Sequence, residues 1–217
     1  MGHTGHTGTA RTREVEIPSG GAVLEGELNV PVGAQGVVLF AHGSGSSRHS
    51  PRNQFVARTI RQAGTGTLLF DLLTREEESV DIHTRHLRFD IGLLARRLAD
   101  ATDWIKREAD LWHLRVGFFG ASTGGGAALV AAAEIGEEVG AVVSRGGRPD
   151  LAGADALQRV KSPTLLIVGG LDVAVTELNE AAYARLRCEK EMRIVPGASH
   201  LFEEPGALEA VARLAAG

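Results

Sequence analysis

Cysteine is nearly missing from this chain: Cys188 is the only one in 217 residues. A lone thiol closes no internal disulfide and builds no thiolate metal site, so a disulfide-stapled or zinc-ribbon scaffold is excluded. An excess of one charge is missing too. There are 23 Lys and Arg against 27 Asp and Glu, for a formal net charge of −4 and a pI near 6.1. That gives no electrostatic footprint for nucleic acid or for an anionic membrane. No apolar run approaches the ~18 residues that a membrane span needs. The opening MGHTGHTGTARTREVEI also lacks the continuous apolar core of a signal peptide. Nucleotide and metal motifs are absent as well. Gly43-x-Gly45 has no third glycine, no G-x-x-x-x-G-K-[ST] occurs, and His83 and His86 stand three apart in a polar stretch with no H-E-x-x-H frame. The expectation is a cytoplasmic protein without cofactor or metal that contacts neither nucleic acid nor membrane. Its oligomeric state is not readable.

What is present is a globular composition, 43% apolar and 23% charged, with glycine in excess: 28 residues, about 13% against an average near 7%. The glycines gather at the ends of short apolar runs, where tight strand-to-loop turns need them. Residues 1–11 hold a doubled GHTG, with His3 and His6, and read as a flexible tail; residues 12–217 read as one domain. Residues 13–18 and 24–30 alternate apolar and polar, as half-buried antiparallel strands do. Continuous apolar runs follow at 36–42, 65–71, 115–121, 140–146 and 163–170, with 191–197 closing the series. Such runs suit strands covered on both faces, hence a parallel sheet. Helical spacing fills the gaps at 52–63, 91–109, 123–135, 176–187 and 206–215. The fold class is α/β: an eight-stranded, mostly parallel sheet opened by an antiparallel pair, with helices on both faces. Ligands of such sheets bind beyond the carboxyl ends of the strands.

The chemistry-bearing residues sit at those ends. Gly120-Ala121-Ser122-Thr123-Gly124 lies between a buried-type strand and an Ala-rich helix, the context of a nucleophile elbow. A serine hydroxyl needs a base to take its proton, and the order Ser…Asp…His is completed further on. Asp172 follows the strand at 163–169, and His200 follows the last strand, in Gly197-Ala198-Ser199-His200. Oxyanion donors are expected from the Thr123 N–H and from the loop Ala41-His42-Gly43-Ser44-Gly45-Ser46-Ser47. Ser44 is favoured there over Gly45, with His42 as a hydrogen-bonding scaffold.

These segments resemble the α/β-hydrolase superfamily, specifically the lidless branch of dienelactone-hydrolase-like proteins. The resemblance is carried by LFAHGSGSSRHSPRN at 39–53, GFFGASTGGG at 117–126, LLIVGGLDVAVTELN at 165–179 and IVPGASHLFEEPGAL at 194–208. It implies the α/β-hydrolase fold and a triad, and it implies anionic substrates. Dienelactone hydrolase is known for a cysteine nucleophile, whereas this elbow carries Ser122, so the lactone substrate does not transfer with the fold. On that basis Arg145, at the end of the sixth strand, is a candidate clamp for a substrate carboxylate on the rim beside Ser122.

Plainer readings compete at each position. Ser122 is a good helix N-cap residue, and Asp172 could cap the helix near Thr176. His200 could be an ordinary loop histidine. Arg145 could pair with Asp172, Asp150 or a glutamate of 76–78. Cys188 reads as a core residue on a late helix, TREEES at 74–79 as a solvated loop, and Glu203 and Glu204 as a solvated helix start. Only about sixteen residues separate Gly146 from Pro163, room for one short helix and no lid. The segment 72–88 alone is long enough to cover the site. The leading function is a serine hydrolase of small carboxylic esters or lactones. Acyl transfer, thioester cleavage and a non-catalytic binder that kept the fold are the alternatives.

Overall fold

The computed structural model describes residues 11–217; the expected tail at 1–11, with His3 and His6, falls outside them except for its last residue. The chain opens with β1 (Arg11–Ser19) and β2 (Ala22–Val30), paired antiparallel throughout. β3 (Gly36–Ala41), α1 (Pro51–Gln62), β4 (Gly66–Phe70), α2 (Arg75–Thr84) and α3 (Ile91–Arg107) come next. Then follow β5 (Arg115–Ala121), α4 (Thr123–Ile135), β6 (Val139–Arg145), α5 (Gly153–Arg159), β7 (Thr164–Gly169), α6 (Val173–Arg185), β8 (Lys190–Val195) and α7 (Ala207–Ala216). The eight strands form one sheet in the order β1-β2-β4-β3-β5-β6-β7-β8. β2 meets β4 antiparallel, and every later pair is parallel.

The continuous apolar runs have a simple cause. Successive strand residues point to opposite faces, and both faces of this sheet are covered. Leu39, Leu68, Phe118 and Leu166 enter a core roofed by α3, α4, α5 and α6. Their neighbours Phe40, Leu69, Phe119 and Ile167 enter a second core under α1 and α7. Each doublet therefore serves two layers, with Phe40 and Phe119 stacked 4.9 Å apart in the second.

Two expectations need correction. The stretch 74–79 is not a loop. Thr74 caps α2 through a reciprocal capping box with Glu77, so two otherwise orphaned N–H groups are satisfied and the helix starts. α2 has no apolar stripe; charges hold it in place. The Arg97 guanidinium of α3, 3% exposed, donates to Glu77 at 2.6 and 2.5 Å and also to the Leu72 carbonyl. Asp81, fully buried, accepts from the Leu87 N–H and from Arg88 at the far end. Cys188 is not helical either. α6 ends at Arg185, and Cys188 lies in the loop before β8, partly buried against the main core with its thiol 3.7 Å from Thr164 Oγ1.

Between β6 and β7 the chain makes only a 3₁₀ turn (Pro149–Ala152) and the seven-residue α5. Among the described residues, no helix is long and apolar enough to cross a membrane.

The Arg97 fork holds the Glu77 carboxyl below its ordinary range, and the Thr74 N–H adds to this. The bond therefore stabilises the fold above the ordinary carboxylate pKa and is lost as pH falls through the depressed folded value. Glu77→Gln should cost about 2–3 kcal/mol at neutral pH, short of a fully buried pair because Glu77 is partly exposed. Urea titrations at pH 7 and at a pH below the carboxylate range should show the two proteins converging in acid. A constant gap would show that the ion pair is not the cause.

Candidate active site

Ser122, His200 and Asp172 come from three separate strand ends and meet. Ser122 follows β5 with φ 51° and ψ −121°, a conformation that L-residues adopt only under strain. Its neighbours make it possible. A Cβ on Gly120 would run into the Gly124 backbone, and one on Gly124 into the Ala41 carbonyl of β3. The Ser122 side chain makes no capping bond to α4. Instead its Oγ stands 3.3 Å from His200 Nε2. On the far side of the ring, Nδ1 lies 2.6 Å from Asp172 Oδ2. Asp172 occupies the N-cap position of α6 but makes no side-chain capping bond there; its carboxylate goes to the histidine.

The His200 loop is tied down from two directions. Glu204 accepts the Ser199 N–H at 3.0 Å, a bond that draws its carboxyl below the usual range. Phe202, at φ 57°, drives its ring into the α1/α7 core. Glu203 and Glu204 therefore lie ahead of α7 and are not its solvated start; Glu203 bridges Arg52 at 3.1 Å.

The loop after β3 is held as firmly. Gly45, at φ 70°, fills the third position of a turn closed by Ser46 N–H to Gly43 O, where a positive φ favours glycine. His42 is 8% exposed. Its Nε2 accepts from the Leu72 N–H at 3.0 Å, and its Nδ1 faces the Gly43 carbonyl at 2.9 Å. That pattern needs the neutral ring, and burial pushes its pKa down accordingly. Arg48 adds a clamp across the Asp71 carboxylate and on to Glu25 at 2.7 Å. Sequence reasoning found His42 but missed Arg48, Asp71 and Glu204, whose partners lie far apart in the chain or across a turn.

The oxyanion donors fall unequally. The Thr123 N–H is at the first position of α4, where no helix carbonyl can receive it. The Ser44 N–H, expected to be open, instead donates to Thr123 Oγ1 at 2.9 Å. Beside them is a cavity of about 10 Å³ lined by Ser44, Leu72, Asp81, Arg88 and Thr123 among others, space for roughly one water molecule. The segment after β4 thus faces the β3–α1 loop across this space.

Arg145 is not on the rim. It is 7% exposed, its guanidinium 5.9 Å over the Phe202 ring, and Nε and Nη1 have no partner among the described residues. None of the expected acids reaches it; Asp150 pairs with Arg148 instead. Burial, with Arg52 nearby, lowers its pKa to about 10, so it stays charged at neutral pH. His83 and His86 lie at the exposed end of α2, and among the described residues no three His, Cys, Asp or Glu gather as metal ligands would.

Comparison with known proteins fits this geometry. Residues 24–216 match the model of the dienelactone hydrolase family. A solved dienelactone hydrolase from Anabaena variabilis ATCC 29413 is 63% identical, covers 95% of each chain and superposes with a TM-score of 0.93. Est1E from Butyrivibrio proteoclasticus, 16% identical over 94% of this chain and 96% of its own, shares the fold with a TM-score of 0.78. A Mycobacterium tuberculosis protein with the provisional name phosphoribosyl transferase is 57% identical over 205 residues. Those residues are 94% of this chain and only 45% of that protein, so the chain spans less than half of its relative.

Because a Cβ at Gly124 has only backbone to push against, Gly124→Ala should overpack the elbow by about 1–3 kcal/mol, or roughly 2–12 °C in Tm. Differential scanning calorimetry measures this directly. An unchanged Tm would mean that β3 yields freely and that the close approach carries no constraint.

Proposed function

This chain belongs to the dienelactone hydrolase family, and from that premise we propose that it is a serine hydrolase of small carboxylic esters or lactones. The observation that carries the reading is the continuous chain from Ser122 Oγ through His200 to Asp172 Oδ2, at 3.3 and 2.6 Å. In this reading Ser122 Oγ attacks the substrate carbonyl while His200 Nε2 accepts its proton. A separation of 3.3 Å is a workable starting geometry, since such bonds tighten when substrate binds. Asp172 holds the imidazole with Nδ1 protonated and stabilises the imidazolium. The tetrahedral intermediate collapses as His200 returns the proton to the leaving alcohol oxygen. Water then repeats the sequence on the acyl-enzyme, releasing the acid and regenerating Ser122.

The short β6–β7 connection, with no inserted lid, supports small acyl groups. The name of the mycobacterial relative describes a protein more than twice as long. A Ser–His–Asp chain suits acyl rather than phosphoribosyl transfer, so we assign that name to the relative's unmatched length.

Ser122→Ala should abolish ester turnover with an unchanged melting curve, leaving only the ~10³–10⁴-fold advantage over water that binding and oxyanion donors supply. A fluorophosphonate should label the wild type once and the variant not at all. Wild-type kcat in the variant, or labelling elsewhere, sinks the serine assignment.

The uncompensated charge of Arg145 supports a preference for substrates carrying a carboxylate, exerted through its field because the guanidinium lies off the rim. Arg145→Ala should then raise KM for carboxylate-bearing esters by about tenfold, from the loss of a partly screened charge–charge attraction. Neutral esters should be far less affected. An equal rise for both would return Arg145 to a structural role against Phe202.

A further inference from the structure

We infer that the Thr123 side-chain hydroxyl, besides its backbone N–H, donates to the oxyanion, taking the place that the Ser44 N–H was expected to fill. This rests on the hydrolase reading above. Thr123 is 3% exposed, and its Oγ1 accepts the Ser44 N–H at 2.9 Å. A hydroxyl can accept two hydrogen bonds and donate one. Among the described residues the acceptor side is used, and nothing receives the hydroxyl proton. Threonine on a helix commonly spends that proton on a carbonyl four residues back, as Thr102 does with Leu98. At the first position of α4, four residues back is Phe119, inside β5, and no such bond forms. A buried donor without an acceptor is costly, and it stands on the residue following the nucleophile. The charge developing on the substrate oxygen supplies the missing acceptor.

The Ser44 N–H then acts at one remove. By donating to Oγ1 it fixes which lone pair is used and polarises the O–H, a short chain in which each bond strengthens the next. The β3–α1 loop, with His42, Arg48 and the turn at Gly45, positions Ser44 for that purpose. No atom is transferred in this step. The hydroxyl proton stays on Oγ1 throughout, and the bond is stronger to the anionic intermediate than to the neutral carbonyl, which lowers the barrier.

Three variants test this on one activated acetyl ester. Thr123→Val puts a methyl where Oγ1 was, so the Ser44 N–H faces carbon and gains no path to the substrate. It should lower kcat by about ten- to a hundredfold, somewhat below the ~10²–10³ of a full oxyanion donor, with KM within about twofold of wild type. An aryl boronic acid, whose tetrahedral adduct mimics the intermediate, should lose affinity in parallel with kcat. Thr123→Ser should keep turnover within about threefold of wild type. Thr123→Ala removes both the hydroxyl and its bulk and should resemble the valine variant. Full labelling of Ser122 by fluorophosphonate at long times in each variant separates a lost donor from a lost nucleophile; failure to label wild type would overturn the hydrolase reading itself. Valine turnover and boronate affinity equal to wild type overturn the inference. So does an alanine variant faster than wild type, which would make the hydroxyl a plug on the Ser44 N–H.

Discussion

A serine backbone held at φ 51° and ψ −121° is the constraint around which the rest of the site is arranged. Such a conformation costs on the order of 1–3 kcal/mol and persists only where its surroundings over-determine it. The Ser122 N–H donates to the Arg145 carbonyl of β6, and its own carbonyl accepts from Gly125 and Arg148. β5 is thus fastened to β6 and α4 at the point where the chain turns most sharply. The same demand accounts for the run of glycines on either side, since Gly124 lies against β3 and Gly125 against Ser144. A Cβ at Gly147 would in turn meet Ser144 Oγ and force that hydroxyl to turn away.

Fixing the serine is of little use unless its partners are fixed as well, and the molecule does this with polar ties rather than with apolar packing alone. Neutral His42 links the oxyanion loop to the start of the segment after β4. Arg48 repeats the link through Asp71. Glu204 and the buried Phe202 do the same for the His200 loop. These bonds run between loops, which have no ladder of their own. A loop at a strand end exposes backbone donors that must find partners, and side chains supply them. Rigidity around Ser122, His200 and the β3–α1 loop therefore has one physical origin.

Arg145 stands apart from that economy. Among the described residues the other buried arginine, Arg97, is matched by Glu77, and the partly buried Arg88 and Arg48 by Asp81 and Asp71. Arg145 retains its charge with two buried nitrogens unpartnered. An aromatic face recovers part of the lost hydration, on the order of 0.5–2 kcal/mol, against several for desolvating a cation. That imbalance is what distinguishes Arg145 from the arginines whose charge an acid matches.

The sheet was readable because doublets such as Phe118-Phe119 and Leu68-Leu69 declare two covered faces, and strand periodicity needs no knowledge of distant residues. Ser122, Asp172 and His200 were readable for a related reason: each follows a strand, and a parallel sheet brings all such ends to one edge. What the sequence concealed depends on partners fixed only in three dimensions. α2 has no apolar stripe, and the arginine that holds it is twenty residues away. The Arg145 position at the end of β6 was foreseeable, but not that its side chain would lie under Phe202 instead of on the rim. The Ser44 N–H was correctly placed in its loop, yet its donor direction is set by a threonine seventy-nine residues later. Local pattern determines which residues reach the carboxyl edge of the sheet, because burial acts on each segment separately. The direction of each donor and the balance of each charge are pairwise quantities, and only the tertiary structure decides them.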